Sequence, residues 1–410
     1  MDLIVYKINS FPLKSETFVV NQIITGIILG YRVNVFVNEL LPLENSSQFD
    51  LFSKYGIDKL IIEKTTFRKV SPIKKLFRIL RLVILKEAPW YWLKTFNYFK
   101  YGLRGLKGRT FEKLYENRFV LNADLIHIQF GLAKDDIDLL KSYGFIKGRV
   151  ITTFHGYDAH FNKSNLIQKK FYYKNLFTVG DFFTANTNYL YDQLITLGCD
   201  KGKIEVIPMT VDTEYFYPIK KHQNKRIRII SVGRLITFKG HSYGISALKL
   251  LVDNGYDIEY TIIGDGPELE NLTAKTRALN LQNIVEFKGV CNQSEILKNL
   301  QHSDIFLMTS TADYSGRRET QGLVTAEAQA CGLPVVAFAS GGVPYTILDG
   351  VTGFLVDENN INAMASKVEE LIVSPELRSQ MGLNAREFCV NNFSNQFGLL
   401  KWKEIYSNLL

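Results

Sequence analysis

A chain of 410 residues, 46% hydrophobic and 22% charged, has the composition of a globular protein long enough for two ordinary domains, which excludes a single small module. Its four cysteines, Cys199, Cys291, Cys331 and Cys389, stand singly, so neither a disulfide framework nor a structural zinc site is expected. The net charge of +8 is concentrated: between Lys64 and Arg109 thirteen Lys or Arg accompany one acid, Glu87, which leaves the rest slightly acidic.

In chain order, short β-branched runs alternate with amphipathic stretches, the pattern of parallel sheets with crossover helices. The expected strands of the first half are 2–8, 32–38, 59–64, 124–130, 149–155, 183–187 and 203–208. Those of the second half are 227–233, 258–264, 284–290, 304–310, 334–340 and 353–356. The fold class is therefore α/β, with two doubly wound, Rossmann-like domains facing across a cleft. The first domain is placed at 1–212 and the second at 226–391. Residues 213–225 lie in a polar stretch containing Pro218 and are read as the linker. The segment 392–410 carries Phe393, Phe397, Leu400 and Ile405 at helical spacing and is expected to pack back across the domain junction.

The opening residues lack the basic start, apolar run and small-residue cleavage site of a secretory signal, and no run approaches about 18 uncharged residues. A cytoplasmic protein without a spanning helix is expected. The segment 64–109 mixes its cations with Leu76, Leu80, Val83 and Ile84 at helical spacing, then with Trp90, Tyr91 and Trp92. Two readings compete: a surface helix facing anionic headgroups, or a core helix whose Lys and Arg form its solvated face. Nucleic-acid binding is disfavoured because no recognition motif accompanies the charge.

Open parallel sheets bind ligands beyond the carboxyl ends of their strands. Three stretches place suitable chemistry there. "RRETQGLVTAEAQACGLP" sets Glu319 in a loop and Glu327 in a helix that begins near Gly322 and stops at Gly332 and Pro334. The peptide N–H groups around Gly322, Leu323 and Val324 would seat a phosphate, and a carboxylate farther along could accept from a ribose diol. "SVGRLITFKGH" offers Arg234 and Lys239 as two cations for a diphosphate. "IIGDGPE" supplies a tight turn at Gly264 and Gly266, a weak signal alone.

Taken in order, "VGRLITFKG", "IGDGPELE", "ETQGLVTAEAQACGLPVVA" and "SGGVPYTILDGVTGFLV" resemble the nucleotide-sugar domain of glycosyltransferase family 4, retaining enzymes of the GT-B fold. The match is close over roughly 226–360. It is looser in the first half, where "SETFVVNQI" and "TTFHGYD" resemble bacterial exopolysaccharide and capsule members. The resemblance implies that Arg234 and Lys239 grip the donor diphosphate, Glu327 holds the ribose, and Glu319 and His155 face the transferred sugar. The donor side would further include Thr320, Gln321, Gly322, the amides of Leu323 and Val324, the Gly264–Gly266 turn, and Val290 after the third strand of that domain. Ser15, Thr17 and Asp158 are the acceptor-side candidates. "NSFPLKSETF" replaces the Gly-rich loop of many relatives, and Tyr345 and Gln129 stand where Glu and a second His are frequent.

The implied activity is transfer of a hexose-type sugar from a nucleotide diphosphate to a saccharide hydroxyl, with retention. The expected acceptor is a lipid-linked oligosaccharide of exopolysaccharide, capsule or O-antigen synthesis, at the inner face of the membrane. No metal or other cofactor is expected, since Arg, Lys and a helix N-terminus can take a cation's place. The Asp-x-Asp in "DDID" (135–138) is read as loop or surface helix. Two other classes stay open: a nucleotide-sugar epimerase of the same architecture, and a non-catalytic membrane-surface binding protein.

Overall fold

Among the described residues, thirteen strands form at the thirteen apolar runs identified in the sequence. The computed structural model describes residues 1–13, 16–66, 71–220 and 226–410; part of the 213–225 stretch and of the 64–109 segment lies outside the described residues. The strands are β1 (Leu3–Phe11), β2 (Arg32–Leu40), β3 (Ile61–Glu63), β4 (Leu125–Gln129), β5 (Arg149–Thr153), β6 (Phe182–Ala185) and β7 (Ile204–Val206), then β8 (Ile227–Val232), β9 (Ile258–Ile263), β10 (Val285–Gly289), β11 (Ile305–Met308), β12 (Val335–Phe338) and β13 (Gly353–Val356). They build two sheets, ordered β3-β2-β1-β4-β5-β6-β7 and β10-β9-β8-β11-β12-β13. The second sheet is parallel at each of its pairings. So are the β1–β2, β1–β4, β2–β3 and β4–β5 pairings of the first.

By contacts the chain separates into two compact units. One comprises Met1–Thr153, Phe171–Phe183 and Ser407–Leu410; the other comprises Phe154–Lys170 and Thr184–Tyr406. The short segment after β5, with His155, thus groups with the second unit although it follows a strand of the first.

The second unit shows why near-continuous apolar runs become central strands. Successive residues of a strand point to opposite faces, so a strand covered on both sides needs apolar residues at every position. Ile229, Leu307 and Val336 enter one core with Leu248 and Val368, from helices His241–Asp253 and Ile361–Val373. Their neighbours Ile230, Phe306 and Val335 enter the other core with Ala326 and Cys389, from helices Leu323–Ala330 and Pro375–Phe393. In this sheet the strand order reverses between β8 and β11. The crevice beyond their carboxyl ends is where such sheets bind ligands, so the loops after β8 and β11 are the ones to inspect.

Two local features bear on the sequence reading. The stretch after Asp212 is tied down: Phe216 is buried, and Arg386 donates to the carbonyls of Thr213, Phe216 and Ala330 at 2.7–2.8 Å. The helix expected over 392–410 runs from Asn395 to Leu409 and is set off from the preceding helix, Pro375–Phe393, by extended Ser394, which bridges Val211.

Candidate donor site in the second unit

The loops after β8, β9 and β10 are joined by backbone hydrogen bonds. Gly233 N donates to Ile263 O, Leu235 N to Asp265 O, Glu268 N to Leu235 O, and Gly264 N to Gly289 O, all at 2.8–2.9 Å. Gly264 and Gly266 stand at φ +141° and +157°, and a Cβ on either would run into the carbonyls of Gly233 and Leu235. The weak Gly-x-Gly signal is therefore a required close approach. It holds the strand of chain bearing Arg234. Val290, one residue past β10, is exposed.

Arg234 is exposed and makes no ion pair among the described residues. Lys239 ends a 3-10 turn, Thr237–Lys239, and its ammonium is bonded to the Glu319 carboxylate, both side chains being mostly buried. Two side chains eighty residues apart, selected separately in the sequence, thus form one ion pair. Beside them lies a residue that the sequence reading passed over. His241 opens the next helix and is buried, and a side chain at Gly233 would come within 3.8 Å of its Nε2 and 3.7 Å of Lys239 Cδ. Burial, and then the charge of Lys239, pushes its pKa down to about 4, so the ring is neutral at pH 7. Its position directly after the Lys239–Gly240 turn was the available clue.

After β11, the loop is pinned at each residue of the Glu319–Gln321 run. Gly342 N donates to Glu319 O at 2.7 Å, Thr187 Oγ1 to Thr320 O at 2.6 Å, and Thr320 Oγ1 to His155 O at 2.8 Å. The Gln321 side chain closes a pair with Met209, accepting from its N at 2.7 Å and donating to its O at 2.9 Å. Gly322 then takes the left-handed conformation, φ +78°, and caps helix Leu323–Ala330. The first N–H groups of any helix lack intrahelical acceptors, so the amides of Leu323 and Val324 present positive partial charge there. Glu327 lies one turn on. It is half-buried, has no hydrogen-bond or ion-pair partner among the described residues, and burial pushes its carboxyl up to about 7. Arg318, also missed in the sequence, donates to Glu358 at 2.7 Å and ties this loop to the one after β13.

His155 is joined to this loop through its carbonyl, and burial pushes its imidazole down to about 3. The next residue, Gly156 at φ +132°, has no room for a Cβ beside Thr320. Asp158 is fully buried and accepts from the backbone N–H of His155 at 3.2 Å and of Gly156 at 2.8 Å. Its carboxylate therefore closes the turn that holds His155. Of the other acceptor-side candidates, Thr17 begins helix Thr17–Ile28 in the first unit, and Ser15 lies outside the described residues. The acids of "DDID" are engaged by lysines in the first unit: Asp135 by Lys7 at 3.2 Å and Lys64 at 2.8 Å, Asp138 by Lys134 at 2.7 Å. Lys7 is wholly buried, and that burial lowers its pKa to about 8 despite Asp135.

Comparison with known proteins identifies the family and the fold. Residues 213–388 match the family model described as glycosyl transferases group 1, and 75–215 match that of glycosyltransferase family 4. The chain is 30% identical over 357 residues, 87% of each sequence, to the amylovoran biosynthesis glycosyltransferase AmsK of Erwinia amylovora. It is 29% identical over 395 residues, 94% of this chain and 95% of the other, to the putative colanic acid biosynthesis glycosyltransferase WcaL of Salmonella typhimurium. Among solved structures, HepE of Anabaena in complex with UDP and glucose superposes with a TM-score of 0.73 at 18% identity, covering all of both chains. A glycosyltransferase from Rickettsia africae gives 0.72 at 23% identity, over 100% and 98% of the two chains. At those identities the structures establish the fold. With the paired sheets, the loops at the β8/β11 reversal and the sequence relatives in agreement, this chain belongs to glycosyltransferase family 4 and has the GT-B fold.

Proposed function

We propose that this glycosyltransferase moves a hexose-type sugar from a nucleotide-diphosphate donor to a saccharide hydroxyl, with retention at the anomeric carbon and without a metal ion. The observation that carries the reading is Glu327: a half-buried carboxylate without a partner among the described residues, one turn into a helix whose N-terminal amides are oriented for an anion. A ribose diol would supply its missing donors. The diphosphate would lie at the amides of Leu323 and Val324, with Arg234 and Lys239 neutralising it. Lys239 would exchange part of its bond to Glu319 for the phosphate, freeing that carboxylate to accept from sugar hydroxyls. His155, neutral at pH 7, is suited to donate or accept one hydrogen bond at the sugar.

In the proposed step the acceptor oxygen bonds to the anomeric carbon on the face from which the diphosphate departs. The bond from that carbon to the phosphate oxygen breaks, and the acceptor's proton passes to the leaving diphosphate. Two cations and a helix N-terminus stabilise the developing charge, the role a metal fills elsewhere. The names of AmsK and WcaL place those relatives in polysaccharide biosynthesis. On that likeness we assign this chain to exopolysaccharide, capsule or O-antigen synthesis, acting on a lipid-linked oligosaccharide at the inner face of the cytoplasmic membrane. Among the described residues no helix is long and apolar enough to cross a membrane.

The test is product analysis. Purified protein is incubated with a panel of nucleotide hexoses and a lipid-linked oligosaccharide, with and without EDTA, and the product anomer is read by NMR. Retained configuration with turnover insensitive to EDTA is expected. An inverted product, or turnover lost to EDTA and restored by a divalent cation, contradicts the mechanism.

A further inference from the structure

The proposed chemistry leaves one large feature of the first unit without a task. Helix Pro72–Ile84 is apolar on two opposite faces. Ile79 and Leu82 are buried, and Lys75 on the same side pairs with Glu112 at 2.6 Å. Opposite them Ile73, Phe77, Leu80 and Ile84 are 70%, 68%, 39% and 77% exposed. At about 100° per residue these four fall within about 60° of arc, with Lys74 and Arg81 along one flank. This arrangement weighs against the core-helix reading of the segment. The cations do not make up the solvated face of a core helix; they border an apolar stripe that faces solvent.

Further exposed apolar side chains follow the helix along the chain. Trp90 is 71% exposed and Phe99 98%, with Lys86, Lys94, Lys100 and Lys107 exposed among them. Thirteen of the thirty-seven large apolar side chains exposed on the described surface fall between Ile73 and Leu106. Isolated exposed apolar residues need no explanation, but a concentration of this size marks a contact surface. Its charge selects the occupant. Between Ile73 and Lys107 nine Lys or Arg stand against one acid, Glu87, a charge that would repel a second copy of the same patch, and a neutral protein groove would leave the cations unused. An anionic bilayer uses both features: apolar side chains enter the headgroup boundary, Trp sits at that level, and Lys and Arg meet lipid phosphates.

We infer that residues 73–107 are a peripheral membrane-docking surface that inserts Ile73, Phe77, Leu80, Ile84, Trp90 and Phe99 into the interface of an anionic bilayer. The inference deepens the lipid-carried acceptor proposed above by naming the surface that would bring the enzyme to it, while its evidence is confined to the first unit. The test is co-sedimentation of the full chain with phosphatidylcholine vesicles, with or without phosphatidylglycerol, at low and high salt. Wild type should sediment with the anionic vesicles, weaken as salt rises, and ignore neutral ones. The double variant Phe77→Glu, Ile84→Glu should lose binding by at least about tenfold. Lys74→Glu with Arg81→Glu should lose the preference for anionic lipid. Nucleotide-induced thermal stabilisation, unchanged in both, shows that the variants are folded. Wild type that stays in the supernatant overturns the inference. So does sedimentation unaffected by either variant, or a wild-type dimer that Phe77→Glu, Ile84→Glu turns into a monomer. A protein that docks on vesicles but responds to no nucleotide would instead sink the donor reading alone.

Discussion

The loop between β11 and the Leu323–Ala330 helix and the surface between Ile73 and Leu106 are opposites. In the first, almost every polar group is engaged within the protein: Glu319 by Lys239 and Gly342, Thr320 by Thr187 and His155, Gln321 by Met209. In the second, large apolar side chains face water with nothing over them. A polar region so connected is held in one geometry before any ligand arrives, as electrostatic catalysis requires. An uncovered apolar region is complete only with a partner. Changes in the first should therefore strike chemistry and stability, and changes in the second localisation alone.

The largest effect should come from Lys239→Ala. On the proposed mechanism it removes a cation from the leaving diphosphate, and it strands Glu319 unpaired, so kcat/KM should fall on the order of a thousandfold, with vesicle binding intact. Next, Gly264→Ala places a methyl against the Gly233 carbonyl at a φ that L-residues rarely adopt. A loss of roughly 2–4 kcal/mol in urea unfolding is expected, together with weakened donor binding because Arg234 moves. Glu327→Ala should weaken nucleotide binding by roughly ten- to a hundredfold while sparing stability. In wild type, nucleotide affinity measured by calorimetry should rise as pH climbs through about 7, since the carboxylate rather than the acid accepts from ribose.

The smallest effect is on stability against pH. His155 and His241 titrate near 3 and 4 in the folded protein but near 6.5 when unfolded. Below 6.5 the unfolded chain takes up protons that the folded one refuses, so stability falls with pH, by less than about 1 kcal/mol for each residue between pH 7 and 6. Glu327 acts in the opposite sense. Its carboxyl holds a proton up to about 7 when folded but only to about 4.5 when unfolded, so stability falls as pH rises through that interval. His155→Asn, His241→Asn should flatten the acid side of a thermal-stability profile, and Glu327→Gln the rise in cost above 4.5.

Strand positions were legible because strands covered on both faces must be apolar throughout, and loops of Gly and polar residues bounded each run. The Gly322 helix start and the Glu319/Glu327 division between loop and helix were legible for the same local reasons. What escaped was long-range or two-sided. No local pattern links Lys239 to Glu319, or the His155 turn to Thr320, because each contact closes a long stretch of chain. Asp158 looked available for a ligand, yet its distance of two and three residues from the amides it caps is a common turn geometry. Helix Pro72–Ile84 defeated periodicity differently: with apolar residues on two faces, spacing alone cannot say which face is inside.

The central claim, that the residues at the β8/β11 reversal form a nucleotide-diphosphate site, is tested most directly by thermal stabilisation. Wild type, Lys239→Ala and Glu327→Ala are heated with a panel of nucleotide diphosphates and nucleotide sugars. The account predicts a selective upward shift for wild type with one nucleotide, diminished or lost in both variants. A shift retained in both, or a wild type indifferent to every nucleotide in the panel, would contradict it.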